Sequence, residues 1–193
     1  MAKLLDKIDY NSPVILTFAL VSLAVLGLGA LTDGWTTGAL FCVYRSSPLD
    51  PAFYARLFGH VLGHADLAHY VNNMMVILLV GPMVEEKYGS KALLEMIAIT
   101  ALVTGIAHLL LADTALLGAS GIAFMLIVLS SVTSVEEGKI PLTLVAVVVL
   151  FLGGQVVAGA LSADNVSQLT HIVGGILGAV FGLVLGRRGG QAR

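Results

Sequence analysis

Residues Ala115 to Val132 read ALLGASGIAFMLIVLSSV, a run without a single charge. A helix needs about 20 apolar residues to cross hydrocarbon, and this run is close to that length. Near its start sits a small polar break, Gly118-Ala119-Ser120-Gly121. Five more apolar segments flank it: Pro13–Leu31, Leu67–Val84, Lys91–Leu111, Pro141–Leu161 and Leu169–Gly186. The pattern predicts an all-α membrane protein built as a six-transmembrane-helix bundle. Its expected organisation is a cytoplasmic segment over 1–12, one six-span domain over 13–186 and a basic cytoplasmic tail over 187–193.

Composition agrees with that class. The 193 residues are 58% hydrophobic and 11% charged, against about 25% charged in ordinary soluble domains. Mean hydropathy is +0.96. A net charge of −2 with scattered signs gives no footprint for nucleic acid. Cys42 is the lone cysteine, so no internal disulfide forms, and it reads as packing. Lys3 and Lys7 before the first apolar run imitate a secretory signal. The run is too long for one, however, and no small-residue cleavage site follows. The connection Thr32–Gly63, with Pro48, Pro51 and interrupted apolarity, suits a segment lying partly in the membrane interface.

Six spans put both ends on one side, together with Lys87, Lys91 and Lys139. Eight of the ten basic residues collect there, and Arg45 and Arg56 lie opposite. The positive-inside rule makes the rich side cytoplasmic. Ser120 then sits near the outer end of the fourth span, in a site open to the outer face.

Polar residues within apolar spans are costly and point to function. The stretch His60 to Asn73 carries His60, His64, His69, Asn72 and Asn73 to the start of the second span. His69 and Asn73 are four apart and share a helix face. Both offer N–H donors of the kind a developing oxyanion needs. Helix capping or interhelical hydrogen bonding would account for them equally well, and His60 and His64 read as structural. A metal site is disfavoured: the glutamate of H-E-x-x-H is missing between His60 and His64, and no further ligand cluster follows. Ser120 has ordinary readings too, as a helix cap or a small packing residue. Neither explains His171, which opens a sixth span whose Gly174-x-x-x-Gly178 spacing permits close helix approach. Were that neighbour the fourth span, His171 would reach Ser120 as a general base.

On these motifs, from about Tyr54 to Gly186, the chain resembles the rhomboid family of intramembrane serine proteases in its compact six-span bacterial form. The resemblance implies a serine endopeptidase that cuts in or near transmembrane segments with a Ser–His dyad. Ser120 would be the nucleophile and His171 the general base and acid. His69, Asn73 and the Ser120 backbone N–H would form the oxyanion hole, with Gly118, Gly121 and Phe124 in support. Glu85 would be a structural acid at the cytoplasmic end of the second span. No cofactor or metal is implied; the partners would be transmembrane protein substrates and membrane lipid, and the location a bacterial plasma membrane. Two positions depart from the family pattern. Ala55 stands where tryptophan often precedes the arginine, and Phe124 replaces a tyrosine, keeping the ring and losing the hydroxyl.

Two other classes compete. A non-catalytic rhomboid-like protein would bind membrane clients, though such relatives usually lack the Ser/His pair. A transporter would need a polar path, and the first, third and fifth spans offer little beyond His108 and Glu95, which read as end-of-span residues. The cluster of His60, His64, His69, Asn73, Gln168 and Thr170 is expected to line a water-filled cavity.

Overall fold

A computed structural model describes residues 9–132, 142–147, 149–150 and 165–189. All regular elements among them are helices: α1 (Pro13–Leu31), α2 (Trp35–Leu40), α3 (Pro51–Gly59), α4 (Leu67–Tyr88), α5 (Ser90–Leu111), α6 (Ser120–Val132), α7 (Leu142–Val147) and α8 (Asn165–Gly189). Four are long and apolar enough to cross a membrane: α1, α4, α5 and, within α8, Gln168–Leu185. The expected fifth span, Pro141–Leu161, lies largely outside the described residues.

α1 shows why lipid must surround the bundle. Ile15, Phe18, Ala19, Ser22 and Val25 turn one helical face inward, while Leu20, Leu23, Leu28 and Leu31 on the other face stay exposed. A helix apolar all round finds no aqueous solution for that outer face. Pro13 opens α1, where a missing N–H costs nothing. The next two N–H groups, of Val14 and Ile15, donate to the Glu85 carboxylate at 3.0 and 3.1 Å. Glu85 is 4% exposed and also accepts the Ser90 hydroxyl at 2.7 Å. A buried acid thus meets the positive end of a helix and the orphan donors found there.

α6 is the central element. Every residue from Gly121 to Leu129 is buried. The thirteen described residues span about 20 Å at 1.5 Å each. The start of the fourth apolar segment corrects its sequence reading. Residues 115–119 are not helical: Leu116 exchanges backbone hydrogen bonds with Val43 at 2.9 Å each way, and Gly118 takes φ +125, which a side chain would disfavour. Tertiary pairing overrides apolar periodicity there, and the helix begins at Ser120.

α8 is the principal neighbour of α6. A methyl group added to Gly174 would collide with the Gly121 carbonyl, and one on Gly178 with the Met125 carbonyl. The two backbones touch with no side chain between them. Gly178→Ala should therefore force the helices apart, at about 1–3 kcal/mol for overpacking. Gly27, with nothing within 4 Å of an added methyl, is the control; Gly27→Ala in mid-α1 should be neutral or stabilising by up to about 1 kcal/mol. Thermal unfolding in a common detergent compares them, and equal melting of the two variants would contradict the seam.

Candidate active site

The site grows from how four segments end. Asp66 caps α4, its Oδ1 accepting the His69 N–H at 2.7 Å, and this fixes His69 in the first turn. The Ala65 N–H then donates to His69 Nδ1 at 3.4 Å. A ring nitrogen that accepts carries no proton, so the neutral imidazole keeps its hydrogen on Nε2 as a donor. One turn on, Asn73 is buried and its Nδ2 has no partner among the described residues.

Both donors face the backbone before α6. A methyl on Gly118 would stand 2.8 Å from His69 Nε2 and 3.7 Å from Asn73 Nδ2. Glycine is needed here both for its φ and for this approach. The Gly118 N–H donates to the His60 carbonyl at 2.9 Å, and the Ala119 carbonyl accepts the Ala123 N–H at 2.9 Å, starting α6. Ser120 is the first helical residue and is half-buried. The N–H groups of a first turn have no intrahelical acceptor and sit at the positive end of the dipole.

His171 arrives from α8. Its ring stacks on Phe124 with centroids 4.2 Å apart and planes 8° from parallel. Phe124 lies one turn after Ser120, on the same helical face. Gly121 is wedged between α8 and α5: a methyl there would meet Thr170 Cγ2 at 2.9 Å and Thr104 Cγ2 at 3.2 Å. The edge of His64 packs against the His69 ring at 5.1 Å. His69 and Asn73 thus meet Gly118 and His171 meets Phe124 at the start of α6, whereas Glu85 holds the start of α1.

His60 does not line a water-filled cavity as expected. It is fully buried, with Nδ1 on the Leu57 carbonyl at 3.1 Å and Nε2 near Thr104 Oγ1 at 3.4 Å. Gln168 and Thr170 are also buried. His64 does line an open cavity, of about 910 Å³. His108 lies in the last turn of α5, an end-of-span residue as read; it is 1% exposed, and its Nε2 donates to the Thr114 carbonyl at 2.7 Å, tethering the loop before Ser120. Glu95 is exposed.

Sequence reasoning also passed over Arg56. It is 4% exposed and donates to the Ala39 carbonyl, Ser46 Oγ and Asp50 Oδ2 at 3.2, 2.8 and 2.9 Å, with its guanidinium over the Tyr44 ring. That hydrogen bond holds the Asp50 carboxyl below its ordinary range. The connection after α1 is thereby folded without the missing tryptophan. An arginine in an interfacial segment, beside apolar Phe53, Leu57 and Phe58, was the available signal.

The chain is thus a helical membrane bundle with a serine at the start of a buried helix and a histidine ring stacked on the residue one turn beyond it. The Rhomboid domain family model matches residues 51–188, most of the chain, and the protein belongs to the rhomboid family. That family consists generally of intramembrane serine proteases acting on transmembrane substrates. No curated protein matches the chain closely. The match omits α1 and α2.

Burial pushes the His60 imidazole from 6.5 down to about 4. The unfolded chain then binds more protons between those values, so stability is fully present above about pH 6.5 and falls as pH drops toward about 4. His60→Gln, which keeps hydrogen-bonding capacity and cannot titrate, should flatten this slope. An unchanged pH profile of unfolding would contradict the burial of a neutral ring.

Proposed function

We propose that the protein is an intramembrane serine endopeptidase that hydrolyses peptide bonds in or near transmembrane segments of other proteins. Ser120 is the nucleophile, and His171 the general base and then acid. The observation that carries this reading is the Phe124–His171 stack, which sets the imidazole beside the first turn of α6. His171 takes the Ser120 Oγ proton as the oxygen attacks the scissile carbonyl. The carbonyl oxygen gains the negative charge and accepts hydrogen bonds from His69 Nε2, Asn73 Nδ2 and the Ser120 N–H. His171 then protonates the leaving amine, giving an ester on Ser120. Water, deprotonated by His171, cleaves that ester and restores the serine.

The unpartnered Asn73 amide supports the oxyanion role. A buried donor without an acceptor costs about 1–3 kcal/mol, a cost recovered when charge develops opposite it. The reaction needs an extended peptide, so a substrate helix must unwind locally, and the resemblance points to small residues at the cut. The same reading places the domain over 13–186 between cytoplasmic segments 1–12 and 187–193. Its site would open to the outer face of a bacterial plasma membrane, as the basic residues suggest.

Ser120→Ala and His171→Ala should each abolish cleavage of a model transmembrane substrate by detergent-solubilised protein, with melting preserved. A fluorophosphonate should label the wild type at Ser120 and spare the alanine variant. Near-normal cleavage by either variant would remove the dyad and favour a non-catalytic family member.

Asn73→Ala should lower turnover more than substrate binding, because its donor engages chiefly in the transition state. One such donor is worth about 10²–10³ in turnover, and with two others remaining the loss should fall near or below the low end. Kinetics and melting on the same preparation decide the matter. Lower melting with unchanged turnover per folded molecule would make Asn73 a strut between helices.

A further inference from the structure

The cavity of about 910 Å³ beside the site belongs to no step of the proteolytic reading. It lies between the second half of α1, α2 and the start of α4. Leu23, Leu26 and Leu117 give it apolar walls, and Gly27 and Gly38 leave its floor open. Its volume falls within the range of about 300–1,000 Å³ typical of small-molecule sites. The adjoining face of α1 exposes Leu20, Leu23 and Leu28, so lipid is the medium on that side.

The polar rim is selective. Asp33 and Asp66 both line it, and among the described residues no cation pairs with either. Thr37 and His64 line it too; His64 is 2% exposed, and its Nε2 has no partner among the described residues. His64 Nδ1 lies 3.2 Å from the Leu62 carbonyl. A carbonyl can only accept, so Nδ1 carries the proton and Nε2 presents a lone pair. Burial pushes this imidazole down to about 4, so the ring is neutral near pH 7. The rim thus offers two carboxylates and one nitrogen lone pair as acceptors, and the Thr37 hydroxyl can accept as well.

We propose that this cavity binds a phospholipid with a primary-amine headgroup, an ethanolamine lipid, with its ammonium at Asp33, Asp66 and His64 and an acyl chain along Leu23 and Leu26. A primary ammonium has three N–H donors to offer such a rim, as a lysine head does. A quaternary choline has none and is held by aromatic cages; no phenylalanine, tyrosine or tryptophan lines this cavity. An anionic headgroup would meet two like charges. Because Leu117 and His64 are shared walls, the lipid would lie directly behind the Gly118 loop and His69.

The test is lipid retention, which does not depend on the proteolytic reading. Purified full-length protein is exchanged into equal ethanolamine and choline phospholipids of identical chains, and bound lipid is measured by native mass spectrometry. The wild type should prefer the ethanolamine lipid by on the order of tenfold, the scale of a charge-assisted contact. Asp33→Asn with Asp66→Asn should bring the preference near unity, and asparagine still caps α4. Gly27→Leu with Gly38→Leu should lose both lipids; an added methyl at either glycine meets nothing within 4 Å, and Gly38→Leu alone serves if the pair melts low. Equal retention of the two lipids by wild type overturns the proposal. So does a preference that survives loss of both carboxylates, or undiminished retention in a folded leucine variant.

Discussion

Backbone contact between α6 and α8 sets the distance on which the rest depends. Hydrophobic force does not drive helices together in lipid, since lipid tails are as apolar as leucine, so close association rests on packing and hydrogen bonds. Gly174 and Gly178 remove every atom that would hold α8 away from Gly121 and Met125. The consequence reaches the chemistry through one ring: with the backbones in contact, His171 lies flat on Phe124, 4.2 Å away. A seam wider by one methyl would part that stack and move the imidazole from the first turn of α6.

Polar ties hold what glycine brings close. Each engages backbone rather than another side chain at its key contact, and two of the three link segments far apart in sequence. Glu85 receives the N–H groups of Val14 and Ile15, His60 gives its carbonyl to Gly118, and His108 holds the Thr114 carbonyl. Backbone groups in a low-dielectric interior must be paired or pay for it. The loop 112–119 is non-helical at depth, and it is stable because the Val43–Leu116 exchange, His60 and His108 occupy its donors and acceptors. Arg45, bonded to the Leu109 carbonyl and paired with Asp113, adds an exposed fastening at the outer edge.

These ties also mark the limit of the sequence. Ser120 and His171 stand out because a polar residue amid membrane-length apolarity has few other reasons to be there, and the helical class follows from composition. Gly174 and Gly178 announce their contact by spacing. The bridge that unwinds the residues before Ser120 is not visible in ALLGAS, since it comes from Val43, more than seventy residues away. The partners of Glu85 and His60, both read as structural, are hidden for a related reason: they are backbone groups, identical at every position. Arg56 was read only by its sign, yet its fork of hydrogen bonds folds the connection that the absent tryptophan would otherwise help to shape.

The burial of α6 separates it from the bilayer. It is covered by its neighbours along the whole of Gly121–Leu129. Bilayers of different thickness strain or tilt the helices that face them, and α6 is not among these. The depth of Ser120 is thus a property of the protein, whereas the depth of any neighbouring helix is a property of the membrane. Thickness becomes a variable that slides the lipid-facing helices past a fixed Ser120.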